Sequence, residues 1–181
     1  LRPLLHLICA RLCGYDGPHR FPLAASIEFI HTASLLHDDV IDEGLLRRGK
    51  PSANRVWGNA ASVLVGDFLY SKAFSLLADI GDIRVVQLMS KMTNVMSEGE
   101  VFQLMKCGDT SLTEEEYLSI VEKKTAVLIS SACESGAALG GAPESQARAL
   151  GQYGYNIGMA FQITDDTLDY MAREEDFGKS I

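Results

Sequence analysis

The sequence predicts an all-α protein built from long, mostly buried helices, and three observations support this. Apolar residues recur at helical spacing through most of the 181 residues. Strand-type alternation and short-period repeats are both missing from the sequence. The hydrophobic content of 47% and the chain length suit one domain with a sizeable core, over residues 1–181.

Glycine and proline clusters divide the first half of the chain into helices. A helix is predicted over residues 2–12, and the Gly- and Pro-rich stretch 14–18 ends it. A second helix is predicted over 21–42, where apolar residues at helical spacing lead to an acidic end. A basic loop at 43–51 separates it from a third apolar helix at 53–77, which a glycine-containing turn follows.

Three further helices are predicted in the second half of the chain. The first covers residues 83–107. The next begins at a T-x-x-E capping box formed by Thr113 and Glu116, and it ends near a Gly-Gly pair. Pro143 suits the first turn of a final helix over 143–169.

Charge and cysteine content limit the possible functions. The net charge of −8 disfavours a nucleic-acid partner. The cysteines form no CxxC pair, so we expect reduced core thiols in a cytoplasmic protein; they are Cys9, Cys13, Cys107 and Cys133. Because no run of about 18 apolar residues occurs, no transmembrane segment is predicted.

Two DDxxD motifs concentrate the negative charge on apolar helices: Asp38, Asp39 and Asp42 in the first, and Asp165, Asp166 and Asp169 in the second. Without them, 18 acidic residues would stand against 16 basic ones. Carboxylates at i and i+4 repel each other by about 0.2–0.5 kcal/mol on an exposed helix, and more strongly in a low-dielectric cleft. All-oxygen ligands favour Mg²⁺ or Ca²⁺ over zinc. The motifs therefore predict two walls of one metal-dependent site.

Basic residues near these motifs predict a phosphate-bearing ligand. Arg47 and Arg48 follow the first motif, and a guanidinium group can fork onto two phosphate oxygens. Lys123 and Lys124 interrupt an otherwise apolar helix, and Lys179 follows the second motif. Together they suggest a diphosphate held between metal ions and basic side chains.

Other metal sites fit the sequence less well. Glu28 and His31 form one E-x-x-H half-motif of a di-iron bundle, but no second copy exists. His37 and Asp38 resemble the HD pair of metal phosphohydrolases, but the remaining histidines have unconvincing spacing. A calcium-binding module would need a glycine-bearing 12-residue loop, which the sequence lacks.

These motifs and several others occur in the order found in the trans-polyprenyl diphosphate synthases, which the chain resembles over nearly its whole length. The further matches are Leu1-Arg2-Pro3, Ile27 to His31, Val63 to Phe68, Glu98-Gly99-Glu100 with Gln103, Lys124-Thr125, and Gly158 to Asp166. Within the family, the chain is most similar to the bacterial octaprenyl-type synthases that make quinone side chains.

The resemblance implies the isoprenoid synthase fold, a bundle of long antiparallel helices around a central cavity. It also implies that the family's N-terminal start and C-terminal third are absent, so that the chain is truncated at both ends. The implied reaction is Mg²⁺-dependent. An allylic diphosphate such as farnesyl diphosphate ionises, isopentenyl diphosphate attacks the carbocation, and a long polyprenyl diphosphate results.

The resemblance assigns a role to each candidate residue. The magnesium ligands would be Asp38, Asp42 and Asp165. Asp39, Asp166, Asp169 and Lys124 would join them in catalysis. The allylic diphosphate would be held by Arg47, Lys124, Thr125, Gln162 and Lys179. Isopentenyl diphosphate would be held by Arg2, His31 and Arg48.

Product length is predicted from the residues before the first motif. Ala33 and Ser34 stand five and four residues before Asp38, where bulky aromatics close the cavity in the resembling short-chain enzymes. Small residues leave the cavity open, so we expect a long product. A plug lower in the cavity would come from the helix bearing three methionines, although these could equally be ordinary core; they are Met89, Met92 and Met96.

Two other functions stay open at this point. A non-catalytic partner subunit of a heteromeric synthase would show degraded acidic motifs, whereas both are intact here. A terpene cyclase of related fold typically lacks a complete second DDxxD motif with a downstream lysine, so Lys179 argues against it. The resemblance also implies a homodimer.

Overall fold

The computed structural model describes residues 1–171 and confirms the all-α class. Helices α2 and α4 are both 22 residues long, and α8 has 28. The elements are α1 (Arg2–Leu12), α2 (Arg20–Ile41), β1 (Leu46–Arg47), β2 (Lys50–Pro51), α3 (Ala53–Trp57), α4 (Asn59–Ile80), α5 (Ile83–Lys106), α6 (Glu114–Val121), a π-helical turn (Glu122–Ala126), α7 (Val127–Leu139) and α8 (Glu144–Met171).

The basic loop predicted at residues 43–51 contains a small antiparallel hairpin, which the sequence pattern did not indicate. Strands β1 and β2 pair with Arg47 opposite Lys50. The residues between them, Arg48 and Gly49, have positive φ angles of 52° and 73°, as a tight two-residue hairpin turn requires. Strands of two residues are too short to produce a recognisable alternation.

Two of the predicted helices are interrupted. The helix expected at 53–77 is split into α3 and α4 at Gly58, whose φ of 87° no helix accommodates. The helix that begins at the Thr113–Glu116 capping box contains the π-helical turn between α6 and α7, and the capping box itself is confirmed. A single glycine and a one-turn widening leave too weak a signal in residue spacing, so the sequence did not reveal either interruption.

The hydrophobic core lies between α2, α4, α5 and α7. α2 packs against α1, α4 and α7, and α7 also packs against α5 and α8. The three methionines of α5 are at most 4% exposed and belong to this core. They are therefore core residues in the structure, and a plug below a product cavity stays a prediction. The core consists of Leu23, Ile27, Ile30, Ala73, Leu77, Val85, Met89, Met92, Met96, Leu128 and Ala132.

Glycines allow α7 to approach its neighbours closely. A Cβ atom on Gly136 would lie 2.5 Å from the His6 carbonyl oxygen of α1. A Cβ atom on Gly158 of α8 would lie 2.5 Å from the Ala126 Cα atom. Such contacts are shorter than van der Waals distances, so a larger residue would push these helices apart. This packing fixes the position of α8 relative to the π-helical turn.

The cysteines only partly match the expectation of core thiols. All four are free, and Cys9 and Cys133 are buried where α1 meets α7. Cys13 is half-buried, and Cys107 is exposed at the end of α5, so the prediction was wrong for Cys107. The reason is that Cys107 caps its helix and no longer follows the apolar periodicity.

Helix α4 is long and apolar enough to cross a membrane, by length and composition alone. Only 22% of its apolar stretch is buried within the described part of the protein. It nevertheless packs against α2, α3 and α5, and its Ser62 hydroxyl donates to the Leu36 carbonyl of α2. Core helices of soluble proteins pass the same test, so this is weak support for a membrane span.

Candidate active site

The first acidic motif lies at the carboxyl end of α2. Asp38 and Asp39 are buried, whereas Asp42 is exposed and ends the helix, its N–H donating to the Asp38 carbonyl oxygen at 2.8 Å. The carboxyl end of a helix carries partial negative charge. Three carboxylates at this end therefore create a strongly electronegative surface that favours a cation.

Burial raises the pKa of Asp38 to about 6. The neighbouring carboxylates of Glu100 and Asp42 raise it further, while Lys124 and Arg47 lower it. The ionised form of Asp38 is thus costly in the protein alone. A bound divalent cation would reverse this, because it stabilises the ionised form.

Lys124 connects the first motif to α5. Its Nζ atom donates to Gln103 Oε1 at 3.1 Å and to Glu100 Oε2 at 3.4 Å, and it lies 4.0 Å from Asp38 Oδ2. The lysine is about a quarter exposed. It therefore faces a cavity in which it balances part of the charge of two carboxylates.

Asp39 is held by an arginine of the hairpin. Arg47 Nε donates to both carboxylate oxygens at 2.9 and 3.0 Å, and Arg47 Nη2 donates to Oδ1 at 2.7 Å. This fork raises the pKa of Arg47 above its ordinary value. The Asp39 carbonyl oxygen also accepts from the Asn54 side chain and the Gly44 N–H. Hydrogen bonds to Asp39 thus connect the hairpin and α3 to the end of α2.

The second acidic motif is connected to the π-helical turn. The Thr125 hydroxyl donates to Gln162 Oε1 at 2.7 Å, and Gln162 Nε2 donates to Asp166 Oδ1 at 2.8 Å. The Tyr117 hydroxyl donates to Asp166 Oδ2 at 2.6 Å. Both oxygens of Asp166 therefore accept hydrogen bonds from neutral groups on α6 and α8.

The π-helical turn directs two adjacent side chains toward different acidic motifs. Lys124 reaches α5 and the first motif, whereas the buried Thr125 reaches Gln162 on α8. The wider turn changes the direction of successive side chains, and such turns are frequent at functional sites. The sequence predicted both residues as site residues, but not the local geometry that directs them to different helices.

A separate basic group lies between α1, α2 and the hairpin. Arg2 is largely buried, and its Nε atom has no hydrogen-bond partner in the described part of the protein. Burial lowers the pKa of His31 to about 3, with the charges of Arg2, Arg48 and Arg47 adding to the effect. His31 is therefore neutral and lies near several positive charges. An anion bound at this place would be attracted by those charges.

Two adjoining cavities lie next to the acidic motifs. One of about 300 Å³ is lined by Tyr117, Lys124, Gln162 and Asp166, among others. Another of about 510 Å³ lies beside Asp42. Gln103 and Ile120 line both cavities, so the spaces next to the two motifs are adjacent.

The Polyprenyl synthetase family model matches residues 1–181. The chain belongs to the polyprenyl synthetase family. It is 47% identical over its whole length to an octaprenyl diphosphate synthase of Escherichia coli (strain K12), of which it covers 56%. It is 44% identical to an all-trans-nonaprenyl-diphosphate synthase of Rhodobacter capsulatus, again covering 56% of that protein. The chain spans about half the length of the curated relatives it matches.

Solved structures of polyprenyl synthetases have the same fold. A decaprenyl diphosphate synthase from Rhodobacter capsulatus is 50% identical, with a TM-score of 0.93 over 98% of this chain and 55% of that one. A polyprenyl synthase from Caulobacter crescentus CB15, complexed with calcium and isoprenyl diphosphate, is 47% identical, with a TM-score of 0.94 over 99% of this chain and 55% of that one. The isoprenoid synthase fold expected from the sequence is confirmed.

In the structure, the predicted residues form two groups. The first joins α2, the π-helical turn and α8, and the second joins α1, α2 and the hairpin. The first group contains Asp38, Asp39, Asp42, Arg47, Lys124, Thr125, Gln162 and Asp166. The second contains Arg2, His31 and Arg48. Arg47 contributes charge to both.

The remaining predicted residues are Asp165, Asp169 and Lys179. Asp165 and Asp169 are exposed on α8. Lys179 lies outside the described residues. Within residues 1–171, no three acidic, histidine or cysteine side chains converge as a ready-made metal centre. The roles assigned to the individual site residues remain predictions.

The sequence analysis missed Tyr117 and left Glu100 and Gln103 without a role. Tyr117 stands seven residues before Lys124, two helical turns, so their shared orientation was a usable signal. Its partner Asp166 is 49 residues away, and no local pattern predicts such a pairing.

Proposed function

We propose that this chain forms the metal- and diphosphate-binding part of a trans-prenyltransferase that adds isopentenyl diphosphate to an allylic diphosphate. The observation that carries this proposal is the pair of acidic motifs linked to adjacent residues of one π-helical turn, Lys124 and Thr125. The identity to octaprenyl and nonaprenyl diphosphate synthases supports a long product, and we propose that this product supplies quinone side chains.

The donor set fits Mg²⁺. The available ligands are carboxylate oxygens of Asp38, Asp42 and Asp165, and Mg²⁺ binds through one or two carboxylates together with water and phosphate oxygens. Mg²⁺, when bound, would stabilise the negative charge of the leaving diphosphate.

The protein's own residues would divide the remaining work. Lys124, Thr125 and Gln162 would hold the allylic diphosphate, since Lys124 and Gln162 line the cavity next to the second motif and the buried Thr125 donates to Gln162. Arg2, His31 and Arg48 would hold isopentenyl diphosphate, since the positive charges of Arg2 and Arg48 beside His31 favour an incoming anion, and Arg2 Nε has no hydrogen-bond partner among residues 1–171. The developing carbocation requires no protein nucleophile.

The direct test is elongation in solution. The purified protein is incubated with farnesyl diphosphate, labelled isopentenyl diphosphate and Mg²⁺, and the extracted products are sized. We expect long polyprenyl products that disappear when EDTA removes the metal. Absence of elongation under all metal conditions would contradict the proposal for this chain.

A non-catalytic partner subunit is the second candidate function. The chain is 38% identical to a protein named heptaprenyl diphosphate synthase component 2, from Geobacillus stearothermophilus. Such a name indicates a synthase made of more than one component. Elongation that begins only after a second protein is added would support this candidate.

The homodimer is also a proposal. Trp57, Leu64 and Phe68 of α3 and α4 are 73%, 67% and 65% exposed. Large neighbouring apolar side chains gain free energy when a second copy removes them from water. A sedimentation measurement that gives a monomer at micromolar concentration would contradict this part of the proposal.

Product length gives a sharper prediction at Ala33. This residue is completely buried one turn before Asp38, while the Ser34 hydroxyl donates to the His31 carbonyl oxygen. Ala33→Phe would place a ring in the path proposed for the growing chain, so we expect products shortened by several isoprene units. Ala33→Ser, which keeps the residue small, is the control. Unchanged product length in a folded Ala33→Phe protein would contradict the open-cavity hypothesis.

A further inference from the structure

We propose that Tyr117 is a positioning residue that orients the second acidic motif through Asp166. This inference rests on the proposed function, because it assigns to α6 a part in presenting the metal-binding carboxylates. Tyr117 lies outside both acidic motifs and was not among the residues that the sequence indicated.

The hydrogen bonds around Asp166 provide the physical basis. Tyr117 donates to Oδ2 at 2.6 Å and Gln162 donates to Oδ1 at 2.8 Å, so each carboxylate oxygen accepts from a different residue. Gln162 is itself oriented by the Thr125 hydroxyl, which donates to its Oε1 atom. A carboxylate that accepts a short bond at each oxygen has few alternative orientations.

The register of α8 places the other two carboxylates of the motif on a different face from Asp166. Consecutive side chains on a helix differ in direction by about 100°, whereas residues at i and i+4 share a face. With Asp166 turned toward α6, Asp165 and Asp169 share the neighbouring face, and both are exposed. Tyr117 therefore binds the middle carboxylate of the motif, while the other two are exposed.

The first motif has the same division of roles. Its middle residue, Asp39, is bound by the Arg47 fork and buried, while Asp42 is exposed. In each DDxxD motif, the middle carboxylate therefore binds a protein donor. Tyr117 donates to Asp166 as Arg47 donates to Asp39. Tyrosine is neutral, however, so it does not offset the negative charge of Asp166.

The test compares Tyr117→Phe with Tyr155→Phe. Both changes remove one hydroxyl that donates to a carboxylate, but the Tyr155 hydroxyl donates to Glu122 at 3.4 Å, away from the acidic motifs. Binding of inorganic pyrophosphate in the presence of Mg²⁺ is measured by calorimetry, which requires no turnover. We expect about 10-fold weaker binding for Tyr117→Phe, a typical loss for an outer-shell partner, and no change for Tyr155→Phe.

A double-mutant cycle shows whether the tyrosine acts through Asp166. The Tyr117→Phe and Asp166→Asn changes, combined, should weaken binding no more than Asp166→Asn alone. Additive losses, or wild-type affinity in a folded Tyr117→Phe protein, would overturn the inference while leaving the proposed function standing. Wild-type protein that fails to bind pyrophosphate with Mg²⁺ would overturn both.

Discussion

Asp38→Asn is expected to lower kcat for prenyl transfer by about three orders of magnitude, without loss of the folded state. Asp38 is the buried carboxylate of the first motif, it lies next to Lys124 and Glu100, and an amide of the same shape cannot supply its negative charge. Steady-state kinetics at saturating Mg²⁺ measures the effect. Asp79→Asn, at an exposed position on α4, is the control and should retain wild-type kcat.

The raised pKa of Asp38 predicts that Asp38→Asn, which lowers kcat, does not lower the stability of the folded protein. A carboxyl group whose pKa is about 6 in the folded protein, against 3.8 ordinarily, destabilises the fold as pH rises through this window. Without metal, Asp38→Asn should therefore unfold at the same temperature as wild type or higher at pH 8. A marked fall in Tm would show that the loss of activity reflects misfolding and not the missing charge.

Asp39→Asn is expected to lower kcat/KM for the allylic diphosphate by about 100-fold and to destabilise the protein by about 2 kcal/mol. The reason is that one amide oxygen replaces the two oxygens on which the Arg47 fork rests, and the Asp39 side chain is only 6% exposed. Arg47 itself is 38% exposed, so water offsets part of the loss.

The Mg²⁺ dependence distinguishes the two aspartates. The Mg²⁺ concentration giving half-maximal rate should change little in Asp39→Asn, because Asp39 is engaged by arginine. Arg47→Lys should reproduce the defect, since lysine keeps the charge but cannot form the fork. A large increase in the Mg²⁺ requirement of Asp39→Asn, with unchanged affinity for the allylic diphosphate, would show that Asp39 binds metal.

The helices could be predicted because their apolar residues recur regularly and their ends carry local signals. The Thr113–Glu116 capping box and the end of α2 at Asp42 are examples. The break at Gly58 and the hairpin turn at Arg48 depend on backbone conformations that a short polar stretch leaves open. The class and the main elements therefore followed from the sequence, whereas the details next to the site did not.

Within the site, residue spacing indicated which residues come together, and only the resemblance assigned their roles. By spacing alone, the six motif aspartates were equivalent carboxylates. Asp39 and Asp166 differ from the others because of Arg47 and Tyr117, whose positions result from the hairpin and from the packing of α6 against α8. Such tertiary contacts have no signature in residue spacing.

A crystal structure of the protein with Mg²⁺ and an unreactive allylic thiolodiphosphate would locate the metal ions and the diphosphate directly. We expect the ions at Asp38, Asp42 and Asp165, with the diphosphate between α2 and α8 near Lys124. Asp39 should remain on Arg47 and Asp166 on Tyr117. Metal ions bound by Asp39 or Asp166, or a diphosphate outside the cavity between the two motifs, would contradict this expectation.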